Sequence, residues 1–137
     1  MRTETAAVIG PIVADLETSG YAVSIDEDWG PSPYDPHSAA REVMVRTAVG
    51  GGNGILVGAP GDPVTAEMVA EAAHALQDGI IEAGFYETGT ATIWPSCPRH
   101  PATHPLTPTT RGDEVFWSCP GTGELFCRLG ELGSSRA

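Results

Sequence analysis

The chain contains no lysine, and its seven basic residues are all arginine. That absence removes Schiff-base and lysine general-base chemistry. Set against 18 carboxylates and a formal net charge of −11, it also excludes bulk binding to a phosphate backbone, which needs Lys and Arg to displace counterions. No apolar run approaches the ~18 residues of a membrane span. Residues 6–14 have the length of a signal-peptide apolar segment, but Glu4 stands where basic residues belong and Asp15 and Glu17 follow at once. The stretch therefore reads as a helix face, and a cytoplasmic protein is expected. Cysteines are few and odd in number (Cys97, Cys119 and Cys127). A complete disulfide framework is impossible, and such a count suits a reducing compartment or a metal site. Internal repeats are missing, and so is the nucleophile-elbow context of a serine hydrolase. The H-x-E and C-x-x-C strings of zinc deaminases do not occur.

What is present is unevenly placed. The length of 137 residues is enough for one domain and short of two full ones. Residues 1–94 hold 14 acids and three arginines, whereas residues 95–137 hold four of each. Proline becomes dense at the same border, at Trp94 and Pro95. The chain is therefore divided into an acidic α/β part, 1–93, and a neutral Cys/His/Pro-rich metal-binding module, 94–137, packed on it.

In the acidic part, Val8, Ile12 and Leu16 recur every four residues, as do Ile9 and Val13, which predicts a helix to about Ser19. Thr3 or Thr5 would cap it, Gly20 would stop it, and Pro11 would kink or start it. Residues 21–25 alternate as a strand that Asp26, Glu27 and Asp28 end; a Pro-rich loop follows over 29–36. Residues 41–49 alternate again, with Val43 and Val45 on one face, and 55–57 form a third strand after a glycine-rich turn over 50–54. That turn lacks the G-K-[ST] ending of a phosphate loop. Asp62 and Pro63 predict the start of a second helix, with Val69, Ala73, Leu76, Ile80 and Ala83 at helical spacing and Gly84 as its stop. Its Glu67, Glu71, Asp78 and Glu82 are matched by no base, so its exposed face is negative. His74 is expected to be partly buried, and Trp29, Trp94 and Trp117 to be packing residues.

The expected fold is thus α+β: helix, three-stranded antiparallel sheet, helix, then a small β module. The first five elements resemble the topology of double-stranded-RNA-binding domains. Those domains place lysines at the start of the last helix, where this chain has Asp62, Glu67 and Glu71, so RNA binding is rejected.

The tail carries the chemistry. Cys97, His100 and His104 stand in C-x2-H-x3-H spacing, and Cys119 lies 15 positions beyond His104. Zinc takes thiolate and imidazole in tetrahedral sets of four, and ligands two to four residues apart share one turn. Cys127 is a fifth competitor. Pro98, Pro101, Pro105 and Pro120 directly follow the first four candidates, whereas Arg128 follows Cys127. Proline restricts the residue before it, so four X-Pro corners pre-set ligand directions. Cys97, His100, His104 and Cys119 are therefore the expected ligands of a structural Zn2+. Cys127 as a replacement for one of them stays open. Arg111, Gly112 and Asp113 spell an adhesion tripeptide, but are read as a turn between two strands.

The C-P-x-H of Cys97 to His100 and the W-x-C-P of Trp117 to Pro120 resemble a zinc ribbon, a family of two ligand loops on β-hairpins. The resemblance covers about residues 94–132. It implies a second loop with its own ligand pair, but residues 121–123 supply no Cys or His, and His104 takes that place. The W-P-x-C-P-x-H-P-x-x-H-P-L string also resembles small proteins of high-GC actinobacteria, which implies no activity. The expected function is a zinc-stabilised accessory or protein-interaction protein without catalytic activity, with a basic protein as partner and neither nucleic acid nor membrane. The alternative is a metal-dependent enzyme or metal sensor in which three ligands leave an open position and Asp113 or Glu114 acts as general base.

Overall fold

The structure, a computed structural model, describes residues 1–31, 37, 40–47, 52–90 and 92–134. The four-residue periodicity over Val8, Ile12 and Leu16 builds α1 (Thr3–Thr18), which buries that face completely and carries Pro11 in its interior. Neither Thr3 nor Thr5 caps it. The N-cap is Arg2, whose amide donates to Glu27 Oε1 at 2.8 Å while its guanidinium donates to the Glu27 carbonyl and to Asp28. A carboxylate from a neighbouring strand thus satisfies the helix start and favours its positive end. The Arg2 amide holds the Glu27 carboxyl below its ordinary range. Gly20, at φ +96°, follows the last turn as expected.

Because those acids have partners, they do not end the first strand. β1 (Val23–Pro31) runs through Asp26, Glu27 and Asp28, with a register shift between Asp26 and Gly30. It pairs antiparallel with β2 (Arg41–Thr47), which pairs antiparallel with β3 (Gly52–Val57), in the order β1-β2-β3. Val43, Val45, Ile55 and Val57 are buried on one face, as period-two alternation requires. Gly52 and Gly54 belong to the strand rather than to a turn. A Cβ at these positions would collide with the Met44 and Glu42 side chains, respectively. The connection over 48–51 and residues 32–36 lie outside the described residues. Trp29 is no core residue: it is 49% exposed, with the Arg46 guanidinium 5.6 Å from its ring centre.

α2 (Ala66–Thr88) starts three residues later than Asp62 and Pro63 suggest. Thr65 caps it by accepting from the Met68 amide at 3.2 Å, while Asp62 accepts from the Ala59 amide and closes a preceding turn. The helix also passes Gly84 and ends at Gly89, which takes the left-handed conformation at φ +74°. Gly84 instead lets Thr92 press against the helix, with no room for a Cβ. His74 is exposed, not partly buried.

A second antiparallel sheet follows, in the order β4-β5-β6: β4 (Thr107–Arg111), β5 (Glu114–Ser118) and β6 (Leu125–Arg128). Gly112, at φ +63°, turns β4 into β5, so Arg111, Gly112 and Asp113 sit at a strand-to-strand turn. α2 touches β3 as well as β4 and β5. Buried side chains from both helices and both sheets, including Trp94, Leu106 and Trp117, form one cluster. Among the described residues, no helix is long and apolar enough to cross a membrane.

Candidate metal centre

Residues 95–105 form a closed loop. The Leu106 amide donates to the Pro95 carbonyl at 2.8 Å, Ser96 and Pro105 form an antiparallel bridge, and the Cys97 amide donates to the His104 carbonyl at 3.4 Å. Inside it, the His100 amide returns to the Cys97 carbonyl, and the Thr103 amide to the His100 carbonyl. These two turns aim Cys97, His100 and His104 at one point. Cys119 leaves the end of β5 and enters a second turn, in which its amide donates to the Glu124 carbonyl and the Gly123 amide donates to the Cys119 carbonyl. Gly123 makes that turn at φ +77°.

The four donor atoms converge. His100 Nδ1 lies 3.6 Å from each of Cys97 Sγ and Cys119 Sγ, and 3.0 Å from His104 Nε2. Cys119 Sγ lies 3.9 Å from His104 Nε2, and all four atoms fall within 4.8 Å of one another. Ideal tetrahedral zinc, from its known bond lengths, has edges of about 3.8 Å between sulfurs, about 3.5 Å between sulfur and nitrogen, and about 3.3 Å between nitrogens. Four of the six edges lie within about 0.4 Å of those values and all six within 4.8 Å, so this Cys2His2 group could hold a metal ion. Cys97 and Cys119 are fully buried and the two histidines half-buried.

Two further features suit metal binding. His104 Nδ1 lies 3.1 Å from the Pro105 carbonyl, which can only accept, so Nδ1 carries the proton and Nε2 presents a lone pair to the centre. Around Cys119, a hydrogen bond from the Thr122 hydroxyl, aided by the Thr122 and Gly121 amides and by Cys97, lowers the thiol to about 6. A thiolate is the form that ligates a metal.

The two ligand turns are clamped to each other and to the helices. The Arg99 guanidinium spans both carboxylate oxygens of Glu124 at 3.0 Å each, so an ion pair links the Cys97 turn to the Cys119 turn. It raises the Arg99 guanidinium and lowers the Glu124 carboxyl. From α2, the buried Gln77 donates to the Trp94 carbonyl at 3.0 Å and to the Leu106 carbonyl at 2.6 Å, holding both ends of the ligand loop. From α1, Asp15 accepts from Trp117 Nε1 at 2.7 Å, two residues before Cys119. Trp94 meets Trp117 edge to face, with ring centres 5.6 Å apart. Sequence reading missed Gln77 and Asp15 as site-positioning residues. Their signal was a polar residue within an apolar helical stripe, Asp15 one position before Leu16 and Gln77 four after Ala73.

Cys127 takes no part in the group: it lies on β6 opposite Trp117. Asp113 and Glu114 are also elsewhere. The register pairs Arg111 with Glu114 at one end of the hairpin and Thr107 with Ser118 at the other, next to Cys119. Four residues of strand, about 13 Å, therefore separate Glu114 from the ligand end, and Glu114 pairs with Arg128 at 2.9 Å. Neither Asp113 nor Glu114 belongs to the group of four donors. Comparison with family models, curated proteins and solved structures finds no match to this chain.

Proposed function

We propose that Cys97, His100, His104 and Cys119 hold a structural zinc ion, and that the protein is a non-catalytic accessory factor acting through protein contacts. The supporting observation is the donor set itself: four protein donors converge within 4.8 Å and would together fill a tetrahedral shell without water or substrate, and closed four-ligand sites are the structural kind. The chemistry zinc would supply is cross-linking, tying the loop before β4 to the turn between β5 and β6. Two ligand turns on a three-stranded antiparallel sheet also support the zinc-ribbon reading, with His104 in place of a second ligand on the Cys119 turn. Free thiolates need a reducing compartment, which favours the cytoplasm. The acidity of α2 favours a basic protein partner over nucleic acid.

Metal analysis of the purified protein tests this directly. About one zinc per chain is expected. Cobalt exchanged into the site should give the intense visible bands of a four-coordinate S2N2 centre. No bound metal, or a five- or six-coordinate cobalt spectrum with exchangeable water, overturns the reading.

A further inference from the structure

We infer that the groove between β3 and α2 binds an extended, basic segment of a partner protein, which adds to the first sheet as a fourth strand. The inference rests on the protein-contact reading above and gives that contact a place and a chemistry.

The two edges of the first sheet differ. A strand edge presents unpaired N–H and C=O groups, and proteins blunt such edges with charge, proline or bulges. β1 has all three: Asp26, Glu27, Asp28, a register shift and Pro31. β3 reads Gly-Asn-Gly-Ile-Leu-Val, without a charge or a proline, and among the described residues it pairs only with β2. In addition, Leu56 on this strand is 49% exposed.

Beside that open edge runs a groove rather than a flat surface. A cavity of about 320 Å³ lies between Gly54 to Gly58 and the α2 residues Met68, Glu71, Ala72 and Ala75. A second cavity, of about 260 Å³ and lined by Gly52, Gly79, Glu82 and Tyr86, continues it past Asn53, whose side chain sits over Gly79. The helix residues facing the groove recur at three- and four-residue intervals, so they form one stripe of α2. Small side chains set its floor. Tyr86, 77% exposed, stands at one end, and exposed aromatics are enriched where proteins dock.

The charge selects the occupant. Glu71 and Glu82 lie on the groove wall, and α2 contains neither arginine nor lysine. Eleven helical residues separate these two acids, about 16 Å. An added strand with basic residues four apart places them about 13 Å apart on one face, within reach of both carboxylates through flexible side chains. Main-chain pairing would supply affinity and the two acids would choose basic over acidic segments.

The test uses the zinc-loaded full chain and two end-capped pentapeptides, Arg-Thr-Val-Thr-Arg and Glu-Thr-Val-Thr-Glu. Titration followed by amide NMR is expected to give at least tenfold tighter binding of the arginine peptide, with shifts and exchange protection at alternating β3 amides. The Glu71→Arg/Glu82→Arg double variant should reverse the preference, and both positions are exposed, so folding is checked by circular dichroism alone. Equal binding of the two peptides, shifts away from β3, or no binding by metal-loaded protein overturns the inference while leaving the zinc site standing. So does a concentration-dependent dimer that protects the same amides without peptide, because a second copy then occupies the edge. Loss of metal in the same sample overturns the zinc reading instead.

Discussion

Cys97→Ser and Cys119→Ser are expected to release the metal and lower the melting temperature by roughly 15 °C or more, whereas Cys127→Ser keeps both the metal and the fold. The size follows from the site's share of the free energy. Structural zinc in small modules contributes ~10–16 kcal/mol of apparent binding near neutral pH, and an ordinary domain has ~5–15 kcal/mol of total stability. Even a third of the zinc term is large on that scale. A serine hydroxyl is a poor substitute, because zinc in such sites takes thiolate, imidazole or carboxylate. In either variant the substituted oxygen would also be left in a fully buried position. Cys127 lies on β6 opposite Trp117 and outside the four-atom group, so its loss leaves all four donors in place. Calorimetry with elemental analysis of all three variants decides the matter. Release of the metal by Cys127→Ser would show that the ligand set is wrong.

The metal-free protein carries a pH signature of the same site. Hydrogen bonding from Thr122, the turn amides and Cys97 holds the Cys119 thiol at about 6 against an ordinary 9.0. A group whose folded value is depressed stabilises the fold fully above its unfolded value and loses that contribution as pH falls through the folded one. Chelated protein is therefore expected to grow more stable as pH rises from about 6 toward 9. Removing the Thr122 hydroxyl should shorten that window by raising the lower limit. Denaturant midpoints at a series of pH values, with and without Thr122→Ala, measure it; midpoints that fall over this range would contradict the geometry around Cys119.

Local signals carried much of what could be read in advance. The three-to-four spacing of Val8, Ile12 and Leu16 and the alternation of Val43 and Val45 each report a buried face, because secondary structure and burial share a period. Cys97, His100 and His104 were legible for the same reason, since three donors within eight residues must share one loop. What escaped was decided at long range. Asp26, Glu27 and Asp28 look like a strand terminator until Arg2, more than 20 residues away, consumes two of them. Asp62 and Thr65 are both capping residues, and only the fold decides that Thr65 meets the Met68 amide while Asp62 turns back to Ala59. Trp29 is apolar enough for a core, yet it falls on an edge strand under Arg46. Gln77 and Asp15 show in the sequence only as polar residues on apolar helix stripes, and their tie to the site stays hidden because the groups they satisfy lie 17 to 117 residues away.

Asp15→Ala is expected to cost about 3–5 kcal/mol, and Asp15→Asn about 1–3 kcal/mol. Asp15 is fully buried on the apolar face of α1. Its Oδ2 accepts from Trp117 Nε1 and from the Gly130 amide at 2.7 Å each, and its Oδ1 accepts from the Leu132 amide at 2.9 Å. Alanine removes the acceptor from all three donors, of which the Trp117 indole is buried and the two amides part-buried, and a buried donor left unpaired costs about 1–3 kcal/mol. Asparagine keeps one oxygen. Placed where Oδ2 was, it retains Trp117 and Gly130 but turns an NH2 group against the Leu132 amide, so one contact becomes repulsive. Glycine suits this close approach to α1, because Gly130 takes φ +94° and a Cβ there would press to within 3.2 Å of Pro11. The carboxyl group therefore ties the first helix both to the strand that delivers Cys119 and to the turn after β6. Chemical denaturation should rank wild type above Asp15→Asn and that above Asp15→Ala, and zinc content should stay near one per chain in the asparagine variant. An asparagine variant as stable as wild type would mean that the Leu132 contact contributes nothing, and an alanine variant within 1 kcal/mol of wild type would remove Asp15 as the tie between the helix and the sheet that carries Cys119.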